Sequence, residues 1–549
     1  MGKKGRRKAH QGTSEAPDHV TDKEVLTVCQ RIFELISLET PVLPVKQWEE
    51  HLKLRGMVEK IRERQAGVSS FQTSDHSRRD HISCFIQWFN ENGGKAEHVV
   101  IDDFGQQGLG LKAVSDIKAG ELFITIPRKL MMSAETARNS ELGPLIERDN
   151  ILRVMQNACL VLHVYCEKLK ESSFWKPYLD ILPTSYSTTL YFSIDEMQAL
   201  KGSPAFGEAL KLYRNIARQY SYIYQRLHQV CPETVKLPLR KAFTFDDHRW
   251  AVSTVITRQN KIPSTTGEPT LALIPMWDMC NHCNGMITTG YDMAEDSCKS
   301  LSVKDFKAGE QVCIFYGERS NADLLVHNGF VFEDNIHDKV GIQLGVSKSD
   351  SLFQMKEKLL ASIGMTASSH WYPVPYGDEP ISRELVTFLR VFSMSEDELK
   401  QWLEKAGEDS SVCELKKLSE VQSSVKQETE SKCWQFLQTR LSLLLGQYKT
   451  SDAEECELLE SAEISHHKKL CIQLKRAERK VLQNALKYAS TTRNKTAESG
   501  LESDRNCDID TRTPNDHVED IKPQTTNTNA SDEMDETACA VSQLSVDGE

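Results

Sequence analysis

An α+β fold is predicted by three observations. Short β-branched runs with Gly turns cluster over 98–126 and again toward 271–316, a mostly helical stretch separates them, and helical spacing returns over 335–490. At 549 residues the chain is too long for one core. Charged residues make up 27% and hydrophobic residues 39%, with 8 Trp and 19 Phe, a composition that can bury globular cores. No apolar run approaches the roughly 18 residues of a membrane-spanning helix. The N-terminus lacks the apolar segment of a secretory signal, and Arg6 stands where myristoylation requires Ser or Thr. A cytoplasmic protein is expected, with nuclear import the alternative use of Lys3, Lys4, Arg6, Arg7 and Lys8.

The elements follow in order. Residues 1–20 read as a disordered basic N-terminus. The span 21–96 is a helical segment: spacing is helical over 22–64, with Trp48, Leu52, Leu54 and Ile61 as core candidates, and a short helix through Phe85 and Trp88 stops at Gly93-Gly94. Strand runs at 98–104, 109–114 and 121–126 open a domain over 97–317. Its near-copies at 116–121 (Asp-Ile-Lys-Ala-Gly-Glu) and 305–310 (Asp-Phe-Lys-Ala-Gly-Glu) read as the polar turns of two small hairpins. The insert at about 130–255 reads as helical, with a buried helix over 151–166 and a capping box at Ser193-Ile194-Asp195-Glu196. Within it Tyr213, Ile216, Ala217, Tyr220, Ile223, Tyr224 and Leu227 form a packing stripe. Thr244 caps a helix over 246 to about 260. A helical domain is expected over 335–490, with a capping box at 395–398 and Leu-rich helices at 429–450 and 453–488. No aromatic residue follows Tyr488, so 491–549 reads as a disordered acidic tail.

That tail holds much of the charge. Of a net −12, residues 501–549 carry thirteen Asp and Glu against three Lys and Arg, so the rest is nearly neutral and no direct nucleic-acid binding is expected. The 15 Cys read as reduced thiols. Cys280 and Cys283 form a CxxC with Cys298 and Cys313 downstream, but Cys313 lies in a strand pattern and no second CxxC exists, so no metal is expected.

Three stretches do not read as packing: the turn Gln107-Gly108-Leu109-Gly110, the strand end Trp277-Asp278-Met279-Cys280-Asn281-His282, and Tyr316-Gly317-Glu318-Arg319-Ser320-Asn321 followed by Asn328-Gly329-Phe330. Together they resemble the SET domain of protein methyltransferases. The split core, the helical insert and the helical C-terminal domain resemble the Rubisco-methyltransferase subgroup. Thr257-Arg258-Gln259-Asn260 and the later motifs are similar to the actin-histidine N-methyltransferases of animals, a likeness that runs to about Tyr488 and fails in the tail.

The resemblance implies S-adenosylmethionine (AdoMet) as methyl donor, S-adenosylhomocysteine as product, and actin as protein substrate of a monomeric enzyme. It places Arg78 and Arg258 on the donor's carboxylate, with Arg79 a possible substitute for the first. It places the Gln107-Gly108-Leu109 backbone and the Asn281 side chain on the donor's ammonium, and His282 backbone and Phe330 at adenine. Asp278, Met279, Cys280, Asn328 and Gly329 complete that set. The chain departs from the family at Gln107 and Leu109, which hold an acidic and an aromatic residue there; both changes keep an apolar stem, so modest effects on donor affinity are expected. Tyr316 is expected at the methyl-transfer site, and Gln259, Trp277, Ile314 and Arg319 along the substrate peptide. A Lys acceptor with a reference pKa of about 10.4 must first lose a proton, whereas an imidazole near about 6.5 is already largely neutral and needs only the right tautomer. Asn260 suits that need, since its carboxamide can bond the ring nitrogen that is not attacked. The rival readings are a Lys methyltransferase of the same subgroup, against which Asn260 and the neutral core argue, and a non-catalytic actin or chromatin adaptor, against which Tyr316, Asn281 and Gly108 argue.

Overall fold

The computed structural model describes residues 22–506 except 39, 42, 69–74, 230–231, 407–416 and 421–424. The expected disordered N-terminus (1–20) and most of the expected tail (507–549) lie outside the described residues. The chain divides into two compact units: Met1–Tyr186, Ala209–Asn281 and Thr289–Val312 form one, and Ser187–Glu208, His282–Thr288 and Cys313–Glu549 the other.

The first unit opens with helices Lys23–Ile36 and Pro44–Arg64. Asp22 caps the first by accepting from Glu24 N at 2.9 Å, and Pro44 starts the second, which is why the helical spacing over 22–64 is broken. Leu54 and Ile61 are buried as expected, but Leu52 is 38% exposed. The short helix is Ile82–Glu91. Small antiparallel ladders follow. β1 (Val99–Asp103) pairs with β2 (Leu109–Ala113), β2 pairs through Leu111 and Lys112 with Val312 and Gln311 of β10 (Gln311–Ile314), and β7 (Asn281–His282) follows β10 in the same sheet. β3 (Leu122–Pro127), β9 (Ser297–Leu301) and β8 (Thr289–Asp292) form a second sheet in that spatial order, and β4 (Met132–Ser133), β6 (Pro269–Leu273) and β5 (Asn260–Pro263) a third.

The near-copies are not hairpin turns. Each joins strands of different sheets, β2 to β3 and β9 to β10, and the two copies bond each other. Ile117 and Phe306 exchange backbone bonds at 2.9 and 2.8 Å, Asp305 Oδ1 accepts from Ala119 N, and Asp116 Oδ1 accepts from Ala308 N. Local turn chemistry was legible; the pairing partner was a tertiary choice.

The insert is helical as expected. In the Gln156–Leu169 helix every residue from Ala158 to Glu167 is buried, and the aromatic stripe on the Ala205–His228 helix is buried throughout. Thr244 Oγ1 accepts from Asp247 N and caps the Phe245–Arg258 helix. Asn260 then begins β5 rather than ending a helix.

In the second unit a core of Tyr372, Phe388, Leu389, Trp402, Trp434, Leu437 and Leu482 is built by helices Phe353–Ser362, Arg383–Ser393, Glu396–Ala406, Gln427–Leu445 and His466–Asn506. Two features depart from the sequence reading of 335–490. β11 (Lys339–Leu344) and β12 (His370–Pro375) pair antiparallel, with alternating burial where an all-helical domain was expected. The last helix also continues past 490, because small Ala485 and Ala489 keep its buried face and Gln438 bonds both Ser490 and Arg493.

Candidate functional site

In the first unit, a 3₁₀ turn at Gly105–Gln107 leads into Gly108, whose φ of 71° a residue with a Cβ rarely adopts. Phe104 N donates to Gly108 O at 2.8 Å, closing the loop ahead of Leu109 and β2. Asn281 Nδ2 donates to Gln311 Oε1 at 2.8 Å, and Gln311 Nε2 donates to Gln107 Oε1 at 2.6 Å. Asn281 Oδ1 accepts no hydrogen bond among the described residues.

Arg258 leaves the end of its helix and donates to Asp278 O at 2.6 Å. The Asp278 carboxylate lies 3.6 Å away and is buried with the Tyr178 phenol bonded to it. Burial raises the Asp278 pKa, and Arg258 opposes the rise. Tyr186 is bonded to Thr254 Oγ1 at 2.8 Å; burial raises its pKa, and the positive charges of Arg258 and Arg78 oppose the rise. Arg78 Nε is held by Ile181 O at 3.0 Å, whereas Arg79 is solvent-exposed and paired with Asp103. The preceding turn is strained: Met276 has φ 75° in the left-handed region, a conformation that concentrates at functional sites. Met279 and Cys280 are buried. Trp277 Nε1 donates to Thr289 Oγ1 at 2.9 Å. Asn260 Oδ1 accepts from Lys261 N at 2.8 Å, and neighbouring Gln259 Oε1 is buried without a partner among the described residues.

In the second unit, Tyr316 N donates to His282 Nδ1 at 3.2 Å. His282 is therefore an acceptor at Nδ1 and neutral, and burial, reinforced by Arg319 and His337, lowers its pKa to about 4. Its ring centroid lies 5.1 Å from that of Tyr316, 6.2 Å from Phe330 and 4.9 Å from Phe332. Arg319 Nη1 donates to Asn328 Oδ1 at 2.8 Å. Asn328 ends a π-helical turn, Leu324–Asn328, a feature frequent at functional sites. Gly329 follows at φ 83°, where a Cβ would lie 2.8 Å from Ser187 C and Thr188 N. Ile314 is only 1% exposed, so its side chain packs in the core.

Sequence reasoning missed Tyr178, Tyr186, Gln311 and Asn321. Asn321 bonds Asp338 through both its backbone N and Nδ2 at 2.8 Å and accepts from Phe332 N, fixing the segment after Tyr316. Its place in the motif was the available signal; the two tyrosines carried none. Among the described residues no His, Cys, Asp or Glu cluster could hold a metal, and no helix is long and apolar enough to cross a membrane.

Small sheets carrying a glycine turn, an Asn-His strand and a Tyr-Gly exit, with a helical insert between them, define a SET-type core. The SET domain family model matches residues 108–317 and the Rubisco LSMT substrate-binding model residues 347–482. The chain belongs to the actin-histidine N-methyltransferase family. The relative bearing that name in Xenopus tropicalis is 46% identical over 494 residues, spanning 90% of this chain and 84% of its own. The Homo sapiens relative is 44% identical over 494 residues, spanning 90% and 82%. In fold the chain is similar to the SET domain of LSMT bound to lysine and AdoHcy, with a TM-score of 0.62 at 23% identity over 76% of this chain and 93% of that one.

Proposed function

We propose that this protein transfers a methyl group from AdoMet to a ring nitrogen of a histidine of actin. The observation that carries the reading is likeness at 46% identity across 90% of the chain to a protein of that name. The residues fit a zwitterionic donor. Arg258, set by Asp278, and Arg78 take its carboxylate in the fork geometry of guanidinium; the open oxygen of Asn281 and the backbone at Gln107, Gly108 and Leu109 take its ammonium. Backbone atoms of Met279, Cys280 and His282, with Asn328, Gly329 and the Phe330 ring, serve adenine. AdoMet, when bound, supplies a sulfonium methyl to an in-line nucleophile.

The protein's own work is positioning and electrostatics. The attacked ring nitrogen must carry a lone pair, so the other carries hydrogen and needs an acceptor. Asn260 Oδ1 has a second lone pair beside its bond to Lys261 N and serves as that acceptor. Asn260 fixes the tautomer and takes no proton, so the proton of the methylated ring leaves to water. Tyr316, its backbone pinned by His282, presents its phenol at the reacting nitrogen. Gln259, Trp277 and Arg319 hold the flanking peptide, and Ile314 supports them from the core. Actin as substrate supports a cytoplasmic enzyme, with nuclear residence through the basic N-terminus a second location.

Incubation with labelled AdoMet and either actin or histones tests the reading. Label on actin alone, greatly reduced in Tyr316→Phe, is expected. Label on histones alone would favour a Lys methyltransferase, and label on neither an adaptor.

A further inference from the structure

We propose that Gln311 is a positioning residue that decides which end of the Asn281 carboxamide faces the methyl donor's ammonium. The inference rests on the proposed role of Asn281 and goes beyond it. A half-turn exchanges the donor and acceptor ends of a carboxamide, so a side-chain amide offers either chemistry unless a neighbour chooses. Asn281, Gln311 and Gln107 form a chain in which Asn281 Nδ2 donates to Gln311 Oε1 at 2.8 Å and Gln311 Nε2 donates to Gln107 Oε1 at 2.6 Å. In this order Asn281 shows its oxygen, which can accept from an ammonium. In the reverse order it shows its NH2, which cannot. Amides linked this way turn together, so the order is a property of the chain and not of Asn281 alone.

Two features hold the chain in place. Gln311 is fixed on β10 opposite Lys112 of β2. Gly110 leaves the needed space: a Cβ there would lie 2.9 Å from Asn281 Nδ2 and 3.1 Å from Gln311 Oε1. Gln107, at the far end, can either donate or accept, so nothing in its own chemistry locks the order. A carboxylate there would, because it only accepts: Gln311 would have to donate to it and Asn281 to Gln311.

The test is calorimetric titration of the full chain with S-adenosylhomocysteine and with 5′-methylthioadenosine, which lacks the amino-acid end. Gln311→Leu is expected to weaken the first about tenfold, the scale of one lost charge-assisted hydrogen bond, and leave the second unchanged. Gln311→Glu, an acceptor toward Asn281, keeps the first ligand's affinity. Gln107→Glu tightens the first ligand, and the gain disappears in the Gln311→Leu background. Equal weakening of both ligands by Gln311→Leu overturns the proposal, as does a Gln107→Glu gain that persists without Gln311, since that is direct charge attraction. Asn281→Leu separates the two levels. Loss of selectivity there but not in Gln311→Leu overturns the relay alone; loss in neither overturns the role of Asn281 itself.

Discussion

Replacing His282 with Phe keeps an aromatic ring among Tyr316, Phe330 and Phe332 but removes the Nδ1 that accepts from Tyr316 N. That bond is half-buried, so leaving the N–H without its acceptor costs roughly 1–2 kcal/mol. If the cost falls on the placement of the Tyr316 phenol, kcat/KM drops by about fivefold to thirtyfold. His282→Asn sets a carboxamide oxygen near the position of Nδ1 and should recover most of the rate. With its pKa held at about 4 by burial, His282 stays neutral across the working range, so the pH profile should keep its shape in both variants. The assay is the initial rate of methyl transfer to actin, with circular dichroism confirming the fold. A Phe variant at the native rate, or an Asn variant as slow as Phe, would refute the reasoning.

Other substitutions probe separate parts of the account. In Gly329→Ala the new Cβ meets the backbone of Ser187 and Thr188 at 2.8 Å while φ is 83°, so thermal unfolding should reveal a loss of roughly 2–5 kcal/mol from clash and strain combined; an unchanged melting temperature counts against it. His51 and His248 are buried with both ring nitrogens unpartnered among the described residues, and burial pushes each pKa down to about 3. Below the unfolded value of about 6.5 the unfolded chain binds protons that the folded one refuses. Stability present above that pH therefore drains away toward pH 3, by about 2 kcal/mol per histidine at pH 5. Urea melts of the His51→Phe/His248→Phe double variant should show a much flatter acid limb, and an equally steep one refutes the assignment. Asn260→Phe removes the tautomer-fixing acceptor and should shift preference from a His peptide toward a Lys peptide, measured as the ratio of their kcat/KM values; an unaltered ratio removes Asn260 from that role.

The parts of the site that could be read in the sequence were those whose chemistry is local. Gly108 announces a turn, the Asn281-His282 pair a strand end with side chains to spare, and Ser193 and Ser395 their capping boxes, because each signal lies within a few residues. What escaped depended on long-range packing. Nothing near Tyr178 indicates that its phenol bonds Asp278, one hundred positions on, nor does the 189-position interval between Ile117 and Phe306 suggest that the turns at 116–121 and 305–310 meet. The sequence likewise gives no sign that the buried Asp278 carboxylate lies beside Arg258 and the Tyr178 phenol. The sequence does not separate Arg78 from Arg79, because their different partners come from distant positions: Arg79 pairs with Asp103, and Arg78 donates to Ile181 O. Ile314 is buried and Leu52 exposed, because a single strand or helix position does not reveal which neighbour covers it.

The central claim is that an uncharged imidazole, steered by a carboxamide and facing a phenol, receives the methyl group. Tandem mass spectrometry of actin incubated with the full chain and isotopically labelled AdoMet tests it most directly. The account requires one labelled methyl on a ring nitrogen of a single histidine, missing when Tyr316 is Phe. A labelled lysine with every histidine unmodified would contradict it.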